Sequence, residues 1–293
     1  MERPSFRSLP AVRRKRRAEA LLLAAFAAHI ALLAAIGTVL HPLAGSAVLL
    51  LGVASAVAVL QREIARGARR DLIGVTQVVE RSQAPVLWDA VHACAEAAGV
   101  RAPKIFLLGD AVPVQAASWG LGADGSIGMR RSLVERFPPE WVKATVGHEM
   151  AHIAMGDLAT TAALLVMRAW LRLASMTVAG LSVAAVFGAV AHGQAALLAC
   201  GAMMIAGMSF IAGDAMLVIG MPHIRYRREF AADAAGVALT GDPAASVALM
   251  IFFAVAARDS SVDSRPSPGR SHPPPLARVR AIIADHPRLG GRR

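Results

Sequence analysis

Four apolar runs, each set off by a basic cluster or a tight break, restrict the folds open to this chain. They are Ala18–Leu40, Leu43–Leu60, Leu158–Ala191 and Ala195–Met221. A helix crosses a bilayer in about 17–25 apolar residues, so each run is long enough to span. His41-Pro42 joins the first two runs and His192-Gly193-Gln194 the last two, giving two hairpins. The chain is 56% hydrophobic with a mean hydropathy of +0.51, beyond an ordinary soluble domain. A secretory signal is the alternative for the first run. That run exceeds a usual signal core, and no clear small-residue cleavage site follows it.

Charge sets the expected orientation. The formal net charge is +11, and much of the excess lies beside the apolar runs. Arg13, Arg14, Lys15, Arg16 and Arg17 precede the first run, Arg62, Arg66, Arg69 and Arg70 follow the second, and Arg225, Arg227 and Arg228 follow the fourth. The two opposite turns carry no Lys or Arg. The positive-inside rule therefore places both termini in the cytoplasm of a multi-pass protein of the inner (plasma) membrane. Aromatic residues make up 5% of the chain and do not interleave with the basic clusters, which excludes a nucleic-acid surface. Cys94 and Cys200 define neither a disulfide framework nor a thiolate metal site. His29 and His92 read as structural histidines. Arg172 and Asp214, equidistant from Gly193, are expected to pair at the membrane boundary.

The chemistry concentrates in Pro138–Asp157, which contains His148-Glu149-Met150-Ala151-His152. Pro138 and Pro139 suit the first turn of a helix, and Glu140 complements its positive dipole end. Side chains four apart share a helix face, so both imidazoles can reach one metal ion. Glu149 is angled off that face. Zinc lowers the pKa of a water it holds from ~15.7 to ~7, and a neighbouring carboxylate can take the proton. The competing interpretation is a pair of surface histidines on an amphipathic helix, which fits poorly with such apolar flanks.

Around this helix the pattern is α+β. Pro85–Ala98 reads as an amphipathic helix closed by Gly99. Lys104–Leu108, Val112–Ser118 and Ser126–Met129 read as strands. A hydrolytic zinc site takes three protein ligands and leaves one position open. Glu229, just after the fourth run, can complete the set. Asp233, one turn on, can accept a hydrogen bond from a liganding imidazole and fix its tautomer. A solvated acidic face beside the arginines of 225–228 is the other interpretation of this pair.

Together these motifs resemble the HtpX family of membrane-bound zinc endopeptidases, distantly similar to the CAAX prenyl proteases. The resemblance covers nearly the whole chain: two spans, the His148–Asp157 stretch, two further spans, then Glu229–Gly236. Ser271-His272-Pro273-Pro274 followed by Arg278-Val279 is similar to a further family signature. It implies a mainly α integral membrane protein with four transmembrane helices and a cytoplasmic zincin-like (gluzincin) α+β catalytic domain. The expected division is a basic N-terminus over 1–17, a hairpin over 18–60, an α+β region over 61–157, a second hairpin over 158–221 and the remainder of the catalytic domain over 222–293.

The resemblance also implies one Zn2+ per chain on His148, His152 and Glu229, with Glu149 as general base and acid. His272 and Arg278 would steady the oxyanion or shape the site. The family's Asn-Ala-Phe-Ala-like substrate strand corresponds to Gln115, Ala116 and Ala117, with Gln115 where Asn is expected. Implied substrates are polypeptides, chiefly misfolded membrane proteins. Selective processing of particular substrates and a non-catalytic metal-binding scaffold are the alternatives; the intact Glu149 speaks against the scaffold.

Overall fold

The computed structural model describes residues 6–40, 75–110, 115–120, 125–191, 220–257 and 272–290, with isolated positions between 50 and 61 and between 201 and 215. Most of the second apolar run, most of the fourth, Ser271, Cys200 and Asp214 lie outside the described residues, so the Arg172–Asp214 pair does too. Chain contacts divide the protein into two units. One comprises 1–17, 64–160 and 222–293, and the other 18–63 and 161–221.

The first unit is built mainly of helices around a small sheet. After a single 3-10 turn at Phe6–Ser8, helix α1 runs over Pro10–Leu40, its later part belonging to the second unit. Strand β1 (Val75–Val78) and helix α2 (Pro85–Ala98) follow, then β2 (Lys104–Leu108), β3 (Ala116–Trp119) and β4 (Ser126–Arg130). A short helix α3 (Arg131–Arg136) leads into α4 (Pro139–Ala154), which carries the histidine pair. Helix α5 spans Asp157–Ala191. The first unit then resumes with α6 (Met221–Thr240), α7 (Pro243–Ala256) and α8 (Pro275–Asp285).

Proline punctuates these helices. Pro85, Pro139, Pro243 and Pro275 each open one, where a missing amide proton costs nothing and φ is already helical. Asp242 caps α7 by accepting from the Ala245 amide at 2.9 Å. Gly99 closes α2 in the left-handed conformation, as its position predicts.

Among the described residues the sheet order is β1-β2-β4-β3. β2 and β4 are parallel, while β1 and β3 pair antiparallel on either side. β3 is thus an edge. Among the described residues its pairing runs from Ala116, opposite Met129, to Trp119, opposite Ser126, and the Arg130 amide also donates to the Gln115 carbonyl at 2.8 Å. Residues 111–114 lie outside the described set. β1, α3 and α7 were not evident in the sequence pattern.

The main core joins α2, the inner sheet face, α4 and α6 through Leu87, Val91, Ile127, Met129, Val146 and Met150, all nearly inaccessible. Phe6 and Val12 enter the same core, so the N-terminal segment is a packed element of this unit as well as a run of charge. His92 stacks on Trp88, with ring centroids 3.4 Å apart, in keeping with a structural role.

Pro138–Asp157 is not one continuous helix. α4 ends at Ala154, Gly156 takes φ 72°, and α5 starts afresh at Asp157. Over the described residues no single helix is long and apolar enough to cross a membrane; only the bent pair Pro139–Ala154 and Asp157–Met167 passes together. The first helix of that pair is packed inside the α+β unit, as expected for a core helix.

Candidate metal centre and active-site cleft

Helices α4 and α6 cross at a pair of glycines. A Cβ on Gly147 would meet Thr240 Cγ2 at 2.5 Å and the Gly236 carbonyl at 3.0 Å, and one on Gly236 would meet the His148 amide nitrogen at 2.9 Å. Backbones can approach this closely only without side chains. The contact sets His148 directly against the turn of α6 that bears Glu229 and Asp233.

Three ligating groups converge there. The Nε2 atoms of His148 and His152 lie 3.2 Å apart, and Glu229 oxygens are 3.5 Å from the first and 3.7 Å from the second. All three ligand atoms fall within 4.8 Å of one another. Two atoms each bound at 2.0–2.1 Å to one tetrahedral ion stand about 3.3 Å apart, so the observed spacing suits a metal such as zinc. Glu229 is buried, and its Oε2 has no hydrogen-bond partner. A buried carboxylate oxygen without a donor is costly, and a cation at the centre of the cluster relieves that cost.

Each imidazole is held from behind. His148 Nδ1–H donates to Asp233 Oδ1 at 3.0 Å, and His152 Nδ1–H donates to Asp157 Oδ2 at 2.7 Å. Carboxylates only accept, so each Nδ1 carries a proton and each Nε2 is turned toward the cluster, where its lone pair can serve a metal once that nitrogen is deprotonated. Asp233 is clasped in turn by Arg278, whose Nε donates to Oδ2 at 2.7 Å and whose Nη2 donates to Oδ1. Asp157 also pairs with Lys15. Asp157 and Lys15 carry no site role in the sequence analysis; the signal for Asp157 was its place just past Gly156, where the chain turns back.

The electrostatics follow from burial and pairing. Burial opposes the charge on Glu229, but His148, His152 and Arg278 close by outweigh it, holding the carboxyl far below its usual range. Burial acts the same way on Asp233, yet Arg278 and His148 bring it down to about 2. Burial and Arg278 disfavour a charged His148, whereas hydrogen bonds to Asp233 and Glu229 prevail and raise it to about 10 in the metal-free site. Arg278 is likewise raised despite burial, by Asp233 and Glu229.

The cluster opens into a cleft of about 440 Å³, lined in part by Glu149, Gln115, Ala116, Leu249, Phe253 and His272. Glu149 is half-buried on the wall beside the histidines. His272 is 60% exposed, with Nε2 3.7 Å from Glu229. Partial desolvation beside the cleft wall and the neighbouring cations lower its pKa against the pull of Glu229, which favours the neutral ring. Gln115 and Ala116 reach the cleft. Ala117, expected with them, packs instead on the other sheet face against Phe106, Leu108 and Trp119, because successive strand side chains alternate. Arg278 holds both oxygens of Asp233 through Nε and Nη2, an arrangement in keeping with shaping the site.

Comparison with known proteins adds the family. A family model described as peptidase family M48 matches residues 81–285. A protease HtpX homolog of Listeria monocytogenes serotype 4b is 32% identical over 82 residues, 28% of this chain and 27% of the relative. A protease HtpX homolog of Levilactobacillus brevis is 28% identical over 82 residues, 28% of each chain. Protease HtpX of Xanthomonas oryzae pv. oryzae is 28% identical over 170 residues, 56% of each chain. The matches thus span from about a quarter to just over half of these relatives' length. No solved structure matches the chain.

Proposed function

The chain belongs to peptidase family M48, and from that premise we propose that it is an integral-membrane zinc endopeptidase cutting polypeptides at the cytoplasmic face. The observation that carries this reading is one cleft lined by His148, Glu229 and the carboxylate of Glu149, with His152 completing the cluster. A scaffold that merely bound metal has no use for that carboxylate. Two imidazoles and one carboxylate with room for a fourth partner are the donor set of hydrolytic zinc.

Bound there, zinc supplies Lewis-acid polarisation of a carbonyl and acidifies water from ~15.7 to ~7. The chain's own residues do the rest. Glu149 accepts the proton of the attacking water and delivers it to the departing amine, so no covalent enzyme intermediate is needed. Neutral His272, at the cleft rim, donates a hydrogen bond to the oxygen that gains negative charge. Arg278 keeps Asp233 fixed, and Asp233 keeps His148 turned inward. An extended substrate segment adds along β3, an edge strand among the described residues, with Gln115 and Ala116 at its start bordering the cleft. Gln115 in place of Asn changes the side-chain contact while leaving main-chain pairing available.

The membrane assignment rests on the four apolar runs and the placement of Lys and Arg. Large apolar side chains exposed on the second unit, including Leu21 at 72%, Met176 at 65% and Phe187 at 71%, support contact with lipid. Substrates are then membrane proteins that have lost their fold and present extended segments, in a quality-control role.

Cleavage of an unfolded, casein-like polypeptide by detergent-purified protein tests the reading. Wild type and Glu149→Gln are matched for zinc and kept in chelator until assay. Zinc-dependent cutting by wild type, reduced at least ~10²-fold in the variant, is expected. Equal cutting by both removes Glu149 as the base, and no cutting by either zinc-loaded protein removes broad endopeptidase activity.

A further inference from the structure

One cation in the N-terminal basic cluster does not face solvent. Arg13, Arg14, Arg16 and Arg17 are exposed, whereas Lys15 is 1% accessible and lies on the inward face of α1 with Val12, three residues earlier. Val12 is wholly buried in the main core. Lysine is rarely buried so fully unless it is paired. Its Nζ pairs with Asp157 Oδ1, while Oδ2 of the same carboxylate accepts from His152 Nδ1 at 2.7 Å. A continuous path therefore runs from the ammonium through Asp157 to an imidazole whose Nε2 faces the metal cluster.

We propose that Lys15 is a positioning residue for the metal centre: by clamping Asp157 it orients His152, so the first helix of the chain completes a site otherwise built from 148–157 and 229–278. The proposal rests on the metal-site reading above. Lys15 lies outside residues 81–285, the stretch shared with the family model, so the family match does not assign it.

The physical reason is division of labour at one carboxylate. Lys15 occupies Oδ1, and Oδ2 is left to hold the ring proton of His152 on Nδ1. Without the ammonium, a buried anion has lost its nearby lysine cation. The carboxylate then turns toward another donor, and its hold on His152 loosens. Asp157 is reached from His152 through the left-handed Gly156, a short connection that leaves the carboxylate dependent on a partner from elsewhere.

Full-length protein in detergent, titrated with zinc against a competing chelator, provides the test. Lys15→Met is expected to weaken zinc binding about tenfold, the lower end for loss of an outer partner of a liganding histidine. Val12→Ala, which removes packing from the same helix face, is expected to lower the thermal midpoint and leave zinc affinity unchanged. In an Asp157→Asn background Lys15→Met is expected to have no further effect on zinc, since its route to the metal is gone. That double variant carries no buried charge at the pair, so it remains informative if Lys15→Met alone folds poorly.

Undiminished zinc affinity in Lys15→Met overturns the proposal. So does a further tenfold loss in the Asp157→Asn background, or a loss of affinity in Val12→Ala equal to that of Lys15→Met. Zinc binding by wild type that is unchanged in Lys15→Met counts against this inference alone. Absence of zinc binding in wild type removes the metal-site reading and this inference with it.

Discussion

His148 and His152 both turn Nε2 inward and give Nδ1–H to a carboxylate, yet the two supports are made differently. Behind His148, Asp233 comes from α6, 85 residues away, and is clasped by the planar fork of Arg278. Behind His152, Asp157 is only five residues on and is met by the single ammonium of Lys15. The distant support depends on a helix crossing made possible by Gly147 and Gly236, whereas the near one depends on a break at Gly156. An Arg fork offers fixed, two-point geometry, while a Lys offers a point charge. The His148 side is therefore the rigid arm and the His152 side the adjustable one.

Removing the Arg clasp is the most disruptive way to test that contrast. Arg278→Met leaves Asp233 and Glu229 buried without their shared cation, a loss expected to cost ~3–5 kcal/mol of stability. Denaturant unfolding of the metal-free protein measures it. The contrast fails if Arg278→Met is no less stable than Lys15→Met, which strands one carboxylate rather than two.

The helix crossing gives a second, smaller effect. Gly236→Ala places a methyl against the His148 amide and the Gly147 backbone, neither of which can swing away as a side chain does. A loss of ~1–3 kcal/mol is expected, together with weaker zinc binding, because His148 moves off Asp233. Wild-type zinc affinity in this variant would show that the close approach does not position the ligand.

A third effect is a pH dependence tied to the rigid arm. His148 is raised from 6.5 to about 10 in the metal-free site, so its proton stabilises the fold fully below pH 6.5. That contribution declines as pH rises toward 10 and is lost above it. The thermal midpoint of chelator-treated protein should fall across this window, and Asp233→Asn should flatten the fall more than Asp157→Asn. Zinc takes the place of the proton, so zinc-loaded protein should lack the decline. A midpoint independent of pH contradicts the coupling of His148 to Asp233 and Glu229.

The contrast also explains what the sequence made legible. Two histidines four apart announce themselves, because helix geometry alone puts them on one face. Glu229 and Asp233 share that spacing, although a solvated acidic face beside the arginines of 225–228 fitted it as well, and only the fold shows the pair buried. Lys104–Leu108 was readable from its apolar run between Pro103 and Gly109, and Ser126–Met129 from the turn before it, the strand continuing one residue further to Arg130. What escaped were relations with no local period. The Ala117 side chain left the cleft because pairing with β4 fixed the register of β3. Lys15 sat in a run of like charges, and its burial became visible only once Val12 had placed that helix face in the core. Asp157 closed the metal stretch in sequence, but its hold on His152 required the left-handed turn at Gly156.

Zinc content bears most directly on the central claim that His148, His152 and Glu229 hold one ion beside Glu149. Wild type, Glu149→Gln and Glu229→Gln are purified in parallel, equilibrated with limiting zinc, and analysed for metal per chain by mass spectrometry. One zinc per chain in wild type and Glu149→Gln, with most of it lost in Glu229→Gln, is the expected result. A full complement in Glu229→Gln would contradict the three-ligand site and separate the buried carboxylate from the metal.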